Sequence, residues 1–381
     1  MKPTTSAAMR VAALLVTLVC IASAQQSGAG KRTPSLTMDN LGTYRQEDQA
    51  SRGSQTGVTH SDALSLLPPS DIVAVIDVRQ ALDLLLPKMN SIAPGELLKM
   101  KRALDEFMNK TGIDPTKITT ATIGVDLSGG STGKGSGAII VQGIEPDFQK
   151  IAAFLRSEKI TFRTLTHQGK TLLAGTIDGK KLSGMSLPTS SSTKAEEVAL
   201  APLDRGMVFG DVTSVKSVLD AQARARAGFP NALLVETLGQ TSSAGLIRFS
   251  AAVPENFRQT LRKQGELALP FAAVRTVAGS LSIDQADGAS MTFDFKLRTS
   301  TADEAARLDA ALKGFVALGK SSIASSQDAQ AQLLGQFLDQ VQITTEGNNV
   351  GLSLYLPKSL MDQFKERFSS SKRNIAVNSR R

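Results

Sequence analysis

The chain has 381 residues, with 43 Lys and Arg against 35 Asp and Glu, one Cys, two His and no Trp. This small supply of imidazole and thiol excludes a histidine-rich zinc site, and a formal charge of +8 is mild for such a length. Hydrophobic residues make up 41% of the chain, enough for a core without disulfides, whereas aromatic residues make up only 4%, which disfavours the stacking surfaces that bind sugars or nucleic acid.

The first 24 residues have the pattern of a secretory signal peptide. Lys2 and Arg10 supply positive charge, an apolar run extends from Val11 to Ile21, and Ala22-Ser23-Ala24 forms a small-x-small cleavage site. The run is much shorter than the roughly 20 residues that a bilayer-spanning helix needs. We therefore predict cleavage before Gln25 and a soluble exported protein, either periplasmic or extracellular, with no transmembrane segment in the mature chain.

Cys20 allows a second interpretation, in which it is acylated and becomes the N-terminus of a lipoprotein. Acylation requires a small residue just before the cysteine, and Val19 stands there. Cleavage after Ala24 is therefore favoured over a lipid anchor. The mature chain would then contain no cysteine, which excludes disulfides, thiolate nucleophiles and sulfur ligands for metals.

The composition divides the mature chain into ordered and disordered parts. Residues 25–62 are rich in Gly, Ser, Thr and Gln, which predicts a disordered linker because few large apolar residues are available to offset the cost of ordering. The folded region is predicted to start near Leu64. A flexible loop is expected at residues 183–197, and a disordered basic tail at residues 369–381.

Between these limits, two strands followed by a helix form the recurring unit, most clearly at residues 276–318. Apolar and polar residues alternate from Val277 to Asp284 and again from Met291 to Arg298, with an Asp-Gly turn between the two runs. Period-two alternation indicates strands with one buried and one solvated face. A helical stripe then begins near Ala302. Repetition of this unit predicts an α+β fold, in which helices lie on one face of an antiparallel sheet.

Proline marks three of the junctions between a strand and the following helix, at Pro146, Pro254 and Pro357. Proline suits the first position of a helix because its missing N–H has no partner there anyway. The shared order of strand, turn, strand, proline and helix predicts an internal duplication. The two α+β halves are expected at residues 63–228 and 229–368.

The solvated face of this predicted sheet is strongly polar near the C-terminus. We interpret this polar face as solvent-exposed. Two alternatives stay open: a shallow polar binding surface, or a face that packs against the other half. The residues are Thr292, Asp294, Lys296, Arg298, Ser353 and Tyr355.

Two motifs have the composition of functional sites but not their spacing. Residues 129–136 are rich in glycine around Lys134, yet Ser128 and Gly135 break the phosphate-loop pattern, and a strand follows instead of a helix. Carboxylates recur at Asp71, Asp77 and Asp83, but nothing brings a particular pair together for glycosidase chemistry. No catalytic, cofactor-binding or metal-binding residue is therefore assigned.

The two histidines do not favour a hydrolase. A Ser-His-Asp triad would have to use His60, which lies in the polar N-terminal stretch, or His167, which lies beside a predicted hairpin turn. A histidine in a turn is typically a solvated surface residue.

The segment Leu67-Pro68-Pro69-Ser70-Asp71 and the strand that follows it, as far as Asp77, resemble the start of a group of exported bacterial proteins of uncharacterised function. In that group, a Leu-Pro pair, a polar residue, a strand and a helix open the domain, and the domain is duplicated. The resemblance covers the general layout of residues 66–368. It implies the duplicated α+β fold but no activity and no site.

The function expected from the sequence is that of a cell-envelope or periplasmic protein that binds or scaffolds without catalysis. The partner would be an unknown envelope protein or ligand, with no cofactor and no nucleic acid. Two alternatives stay open: a hydrolase that uses carboxylates and serine, and a carrier of an apolar ligand, which would need a large apolar cavity.

Overall fold

The computed structural model describes residues 60–84, 94–127, 136–177, 196–224, 232–284, 290–324, 326 and 329–363. The signal peptide, most of the linker, the glycine-rich motif at 129–135, most of the loop at 183–197 and the basic tail lie outside the described residues. The helices are α1 (His60–Leu66), α2 (78–84), α3 (Pro94–Thr111), α4 (Phe148–Ser157), α5 (Val212–Ala223), α6 (Ala232–Gly239), α7 (Glu255–Lys263), α8 (Leu269–Ala272), α9 (Ala302–Ala324), α10 (Ala329–Asp339) and α11 (358–363).

The strands of the described segments form one antiparallel sheet of twelve strands. Its order is β11-β12-β10-β9-β8-β1-β2-β3-β7-β6-β5-β4. The α+β prediction with an antiparallel sheet is confirmed, and the duplication stays a prediction. The strands are β1 (Ile72–Asp77), β2 (Thr120–Asp126), β3 (Ser136–Gln142), β4 (Phe162–His167), β5 (Lys170–Ile177), β6 (Glu196–Leu203), β7 (Gly206–Asp211), β8 (Ile247–Ala252), β9 (Thr276–Ile283), β10 (Met291–Arg298), β11 (Val341–Glu346) and β12 (Asn349–Leu356).

The pair β1–β8 lies near the middle of the sheet and joins the two predicted halves. β1 pairs with β2 on one side and with β8 on the other, with Ala74 opposite both Ile123 and Phe249. The halves therefore share a single sheet. α1 begins at His60, which places ordered backbone slightly before the predicted end of the linker.

Helices pack on both faces of the first half, whereas the sequence predicted helices on one face only. The adjacent residues Ile140 and Val141 of β3 point to opposite faces, as in any strand. Ile140 belongs to a core formed with α1, α5 and α6, whereas Val141 packs against a second core formed with α4. The reason is that strands such as β5 are apolar on both faces, with Leu172 and Leu173 both buried, so each face needs a cover.

The second half is covered mainly on the α4 face. Ala305 and Leu308 of α9 are fully buried against Val350 of β12 and its apolar neighbours on β9 and β10. Phe249 and Phe295 meet edge to face on the same side, with ring centroids 6.2 Å apart. Gly279 lies between them in the register, and a Cβ there would lie 2.7 Å from the Phe249 ring, so the aromatic pair requires glycine at this position.

On the opposite face, α6 packs across β8 and β9. Ala278 and Ser280 are therefore buried, although their polar alternation pattern predicted a solvated face. α6 also carries Leu234 and Leu238 into the core of the first half. In the second half, the outer strands β10, β12 and β11 keep an accessible polar face on this side.

The junction prolines lie just before their helices and not at the first helical position. Asp147, not Pro146, caps α4, because its carboxylate accepts hydrogen bonds from the backbone N–H groups of Gln149 and Lys150. Pro254 is itself the N-cap of α7, and Pro357 precedes α11. The strand-to-helix transitions are thus at the predicted places, but the helices begin two residues after Pro146 and one residue after Pro254 and Pro357.

Candidate functional site

The accessible polar face of β10, β12 and β11 is the candidate site. Register places Asp294 opposite Ser353 and Lys296 opposite Gly351. On the other side of β12, Gln342 lies opposite Ser353, and Thr344 lies opposite Gly351. We call the group of Asp294, Lys296, Gln342, Thr344 and Ser353 the polar shelf.

A shallow depression of about 280 Å³ lies over the polar shelf. Gly351 forms its floor: a Cβ at this position would lie 2.8 Å from the Thr344 hydroxyl oxygen, so any side chain would fill the space. The chain that leaves α6, from Gln240 to Ser242, forms a wall. The depression therefore depends both on a glycine in β12 and on the helix that covers the neighbouring strands.

The shelf contains both paired and unpaired polar groups. The Ser353 hydroxyl donates a hydrogen bond of 2.7 Å to Asp294 Oδ1. Lys296 forms no hydrogen bond or ion pair with any other described residue, and it is half-buried. The side-chain oxygen of Gln240 is buried and has no hydrogen-bond partner within the described segments. One cationic donor is thus available to a ligand in the depression, whereas the Gln240 oxygen is shielded by the atoms around it.

Two polar contacts hold the borders of the shelf. Arg298 donates to Glu236 of α6 at 2.8 Å, which ties the covering helix to β10. At the other end, the Tyr355 hydroxyl lies 3.1 Å from the Ser290 hydroxyl. The Tyr355 side chain is exposed, and it offers an aromatic surface at the rim of the shelf.

The three evenly spaced carboxylates do not form a site together. Asp71 accepts the backbone N–H of Leu127 at 2.7 Å, and Asp77 accepts the backbone N–H of Gln80 at 2.8 Å, where α2 begins. Asp83 lies exposed on α2. The first two carboxylates stabilise backbone turns.

His167 lies at the hairpin turn between β4 and β5, as predicted, but it is not simply solvated. Its Nε2 lies 2.8 Å from Asp220 Oδ1, and Gln168 donates to the same oxygen at 2.7 Å. Lys170 extends this contact by donating to Gln222 Oε1. These contacts fix the turn against α5, which is a structural role. The side chain of His60 lies outside the described part.

Sequence reasoning identified Asp294, Lys296 and Ser353 on the correct face but missed the rest of the shelf. Gln342 and Thr344 alternate with Val341 and Ile343, so the period-two pattern of β11 contained the signal. The wall at Gln240–Ser242 had no such signal, because its position depends on how α6 packs.

Two searches of the described segments gave negative results. They contain no group of three or more His, Cys, Asp or Glu side chains placed to hold a metal ion. None of their helices combines the length and apolar character that crossing a bilayer requires.

Comparison with known proteins gives only weak structural similarity. No protein-family model and no curated protein matches this sequence. Among solved structures, crystal form III of TP0453 is similar, with 12% identity, 77% of this chain and 93% of that chain covered, and a TM-score of 0.39. Crystal form I of TP0453 gives 11% identity, coverage of 79% and 94%, and a TM-score of 0.38. At these values the similarity carries no argument about fold or function.

Proposed function

We propose that this protein is exported to the cell envelope and acts there as a non-enzymatic binding protein, with the polar shelf as its binding surface. One observation carries the proposal: Lys296, a cation that forms no hydrogen bond or ion pair with another described residue, lines an accessible depression. A ligand that supplies a hydrogen-bond acceptor or an anionic group would pair with Lys296.

The shape of the shelf favours binding over catalysis. The depression is shallow and lies on strands, which hold side chains rigidly but leave the reacting groups exposed to water. Its floor at Gly351 allows the backbone of a partner to approach the sheet closely. A polar loop or a short peptide of a partner protein fits such a surface better than a substrate that must be enclosed.

Affinity capture with matched variants tests the proposal. The tagged full-length protein is expressed in its native host, and bound proteins and ligands are recovered from the envelope fraction and identified by mass spectrometry. Gly351→Val fills the depression, and Lys296→Gln removes its cation. Lys101→Gln serves as the control, because Lys101 is an exposed lysine of α3, which packs against α4 in the first half.

The proposal predicts that the wild type and Lys101→Gln recover the same partners in equal amounts. Gly351→Val and Lys296→Gln should fail to recover these partners although their melting temperatures equal that of the wild type. Equal recovery by all four proteins would contradict the assignment of the shelf. Export is tested separately by N-terminal sequencing of the protein from the envelope fraction. A mature N-terminus at Gln25 supports cleavage, whereas an acylated Cys20 would establish the lipoprotein alternative.

The hydrogen bond between Ser353 and Asp294 favours one second candidate, the hydrolase that uses serine and a carboxylate. In such an enzyme, the carboxylate would take the proton of the attacking hydroxyl. Known triads place an imidazole in that role, and Lys296 is the other ionisable group of the shelf. Ester hydrolysis that is present in the wild type and abolished by Ser353→Ala would support this candidate over simple binding.

A further inference from the structure

Three arginines surround a single carboxylate at the start of α7. Glu255 accepts a hydrogen bond from Arg258, and it accepts one of 3.0 Å from Arg262. Nη1 of Arg275, which lies just before β9, is 3.7 Å from the same carboxylate. We call Glu255, Arg258, Arg262 and Arg275 the arginine cluster. Its four side chains carry a net charge of plus two.

Arg258 is an unusual member of this cluster because it is buried. Its side chain is only 8% exposed, whereas those of Arg262 and Arg275 are 46% and 41% exposed. Two of its nitrogens, Nε and Nη1, are buried without a hydrogen-bond partner among the described residues. A guanidinium group has a planar array of five donors, and its burial is costly when donors stay unpaired.

The carboxylate that holds the cluster together is fully ionised near neutral pH. Desolvation opposes ionisation of Glu255, but Arg258 and Arg262 outweigh it, so the pKa of this carboxyl lies below its usual value. Glu255 therefore balances only one of three positive charges. The other two positive charges correspond to Arg262 and Arg275, whose side chains are partly exposed. These two guanidinium groups lie close together because both approach the carboxylate of Glu255.

Arg275 is held in place from a second direction. Its Nε donates a hydrogen bond of 2.8 Å to the Ser300 hydroxyl, and the Ser300 backbone N–H donates to Glu304 in the first turn of α9. The guanidinium is thus positioned before any ligand arrives, which reduces the entropy lost on binding. A structural role alone does not require two further arginines around a carboxylate that Arg258 already pairs with.

We propose that the arginine cluster binds an oxyanion of the phosphate-monoester type, with Arg262 and Arg275 as the direct contacts and Arg258 as the buried charge behind them. Paired guanidinium groups match the geometry and the double charge of a phosphate monoester. The proposal is independent of the polar shelf. The ligand group could belong to a soluble phosphate ester or to a lipid headgroup, and the experiment distinguishes the two sources.

The test measures the melting temperature of the mature full chain in increasing inorganic phosphate, against sodium chloride at equal ionic strength. A ligand that binds only the folded state raises the melting temperature progressively with its concentration. We expect such a rise for the wild type, and at least a roughly tenfold loss of phosphate affinity in Arg262→Gln and Arg275→Gln, since each removes a charged hydrogen bond. The control is Arg163→Gln, which removes an exposed arginine paired with Glu197 in the first half. It should keep the full phosphate response.

A gain of binding separates the proposal from simple loss of structure. Glu255→Gln removes the competing carboxylate and should raise phosphate affinity, a result that misfolding cannot produce. No phosphate response in the wild type, an equal response in all variants, or a weaker response in Glu255→Gln would each overturn the proposal. Competition by glycerol 3-phosphate indicates a soluble ester, whereas cosedimentation with phosphatidic acid vesicles, but not with phosphatidylserine vesicles, indicates a lipid headgroup. If neither competes nor cosediments, the monoester assignment fails.

Discussion

Two Gly→Ala substitutions are expected to change stability in opposite directions, because one glycine lies between strands and the other on an open helix. Gly210 of β7 is buried, and a Cβ there would lie 2.2 Å from the Gly137 carbonyl oxygen and 2.9 Å from the Ala138 Cα. Gly314 lies exposed on α9, and a Cβ there would meet nothing within 4 Å.

The magnitude for Gly210→Ala follows from these distances. Both contacted atoms are backbone, so β3 and β7 must separate by about 1 Å to reach ordinary van der Waals contact. Strand hydrogen bonds span only about 2.7–3.2 Å, so at least one is lost, at a cost of about 1–3 kcal/mol. Overpacking adds about 1–3 kcal/mol. We expect a total loss of about 3 kcal/mol or more.

Gly314→Ala is the matched control, and it should stabilise the protein by about 0.8–1.0 kcal/mol, the difference between the two residues in a helix interior. Urea unfolding followed by circular dichroism at 222 nm measures both changes. If Gly210→Ala had the same effect as Gly314→Ala, the close approach of β3 and β7 would be wrong, and with it the strand order at that point.

Further predictions concern the tethered hairpin and the two cores. The hydrogen bond from Gln168, together with that from His167, outweighs partial desolvation and lowers the pKa of Asp220 below 3.8. The ionised Asp220 therefore stabilises the folded state fully above pH 3.8, and this stabilisation is lost as the pH falls through the lower pKa of the folded state. Thermal melts should therefore show Asp220→Asn less stable than the wild type at pH 7, and this difference in melting temperature should shrink as the pH falls below 3.8; a difference that does not change with pH would contradict the prediction. Ile140→Ala, at a fully buried position, should cost about 2–5 kcal/mol in a denaturant titration, whereas Leu267→Ala, at an exposed one, should change stability by about 0.5 kcal/mol or less. Phe295→Ala should lower the free energy of unfolding by about 2 kcal/mol, less than the same substitution of a fully buried phenylalanine, because Phe295 is half-buried. If Phe295→Ala lowered it no more than Lys296→Ala does, the contact between Phe295 and Phe249 would contribute nothing to stability.

The hairpins were the most predictable part of the fold. In β9 and β10 the alternating residues define both the strands and their pairing, and the register places Phe295 opposite Gly279. The second C-terminal hairpin turns at Gly347, which has a positive φ of 56° that glycine adopts without strain. These features depend only on residues close together in the sequence, so the local sequence pattern is sufficient to predict the hairpins.

Features that depend on distant contacts were not predictable. α6 is apolar on most sides, and nothing in its eight residues specifies that it crosses β8 and β9 and buries Ser280. The arginine cluster likewise joins Glu255 with Arg275, which lies beyond α8. The polar shelf was partly predictable, because Asp294 and Lys296 share a face by alternation, whereas its depth depends on α6.

The pairing of β1 with β8 has a consequence for the way the chain reaches its native state. β1 ends at Asp77, and β8 begins only at Ile247, so one edge of β1 stays open until almost two thirds of the chain has been made. An open strand edge is a template for another chain. Such late, non-local closure slows folding and favours exchange of halves between two molecules. Concentrated refolding should therefore yield dimers in which β1 of one copy pairs with β8 of the other.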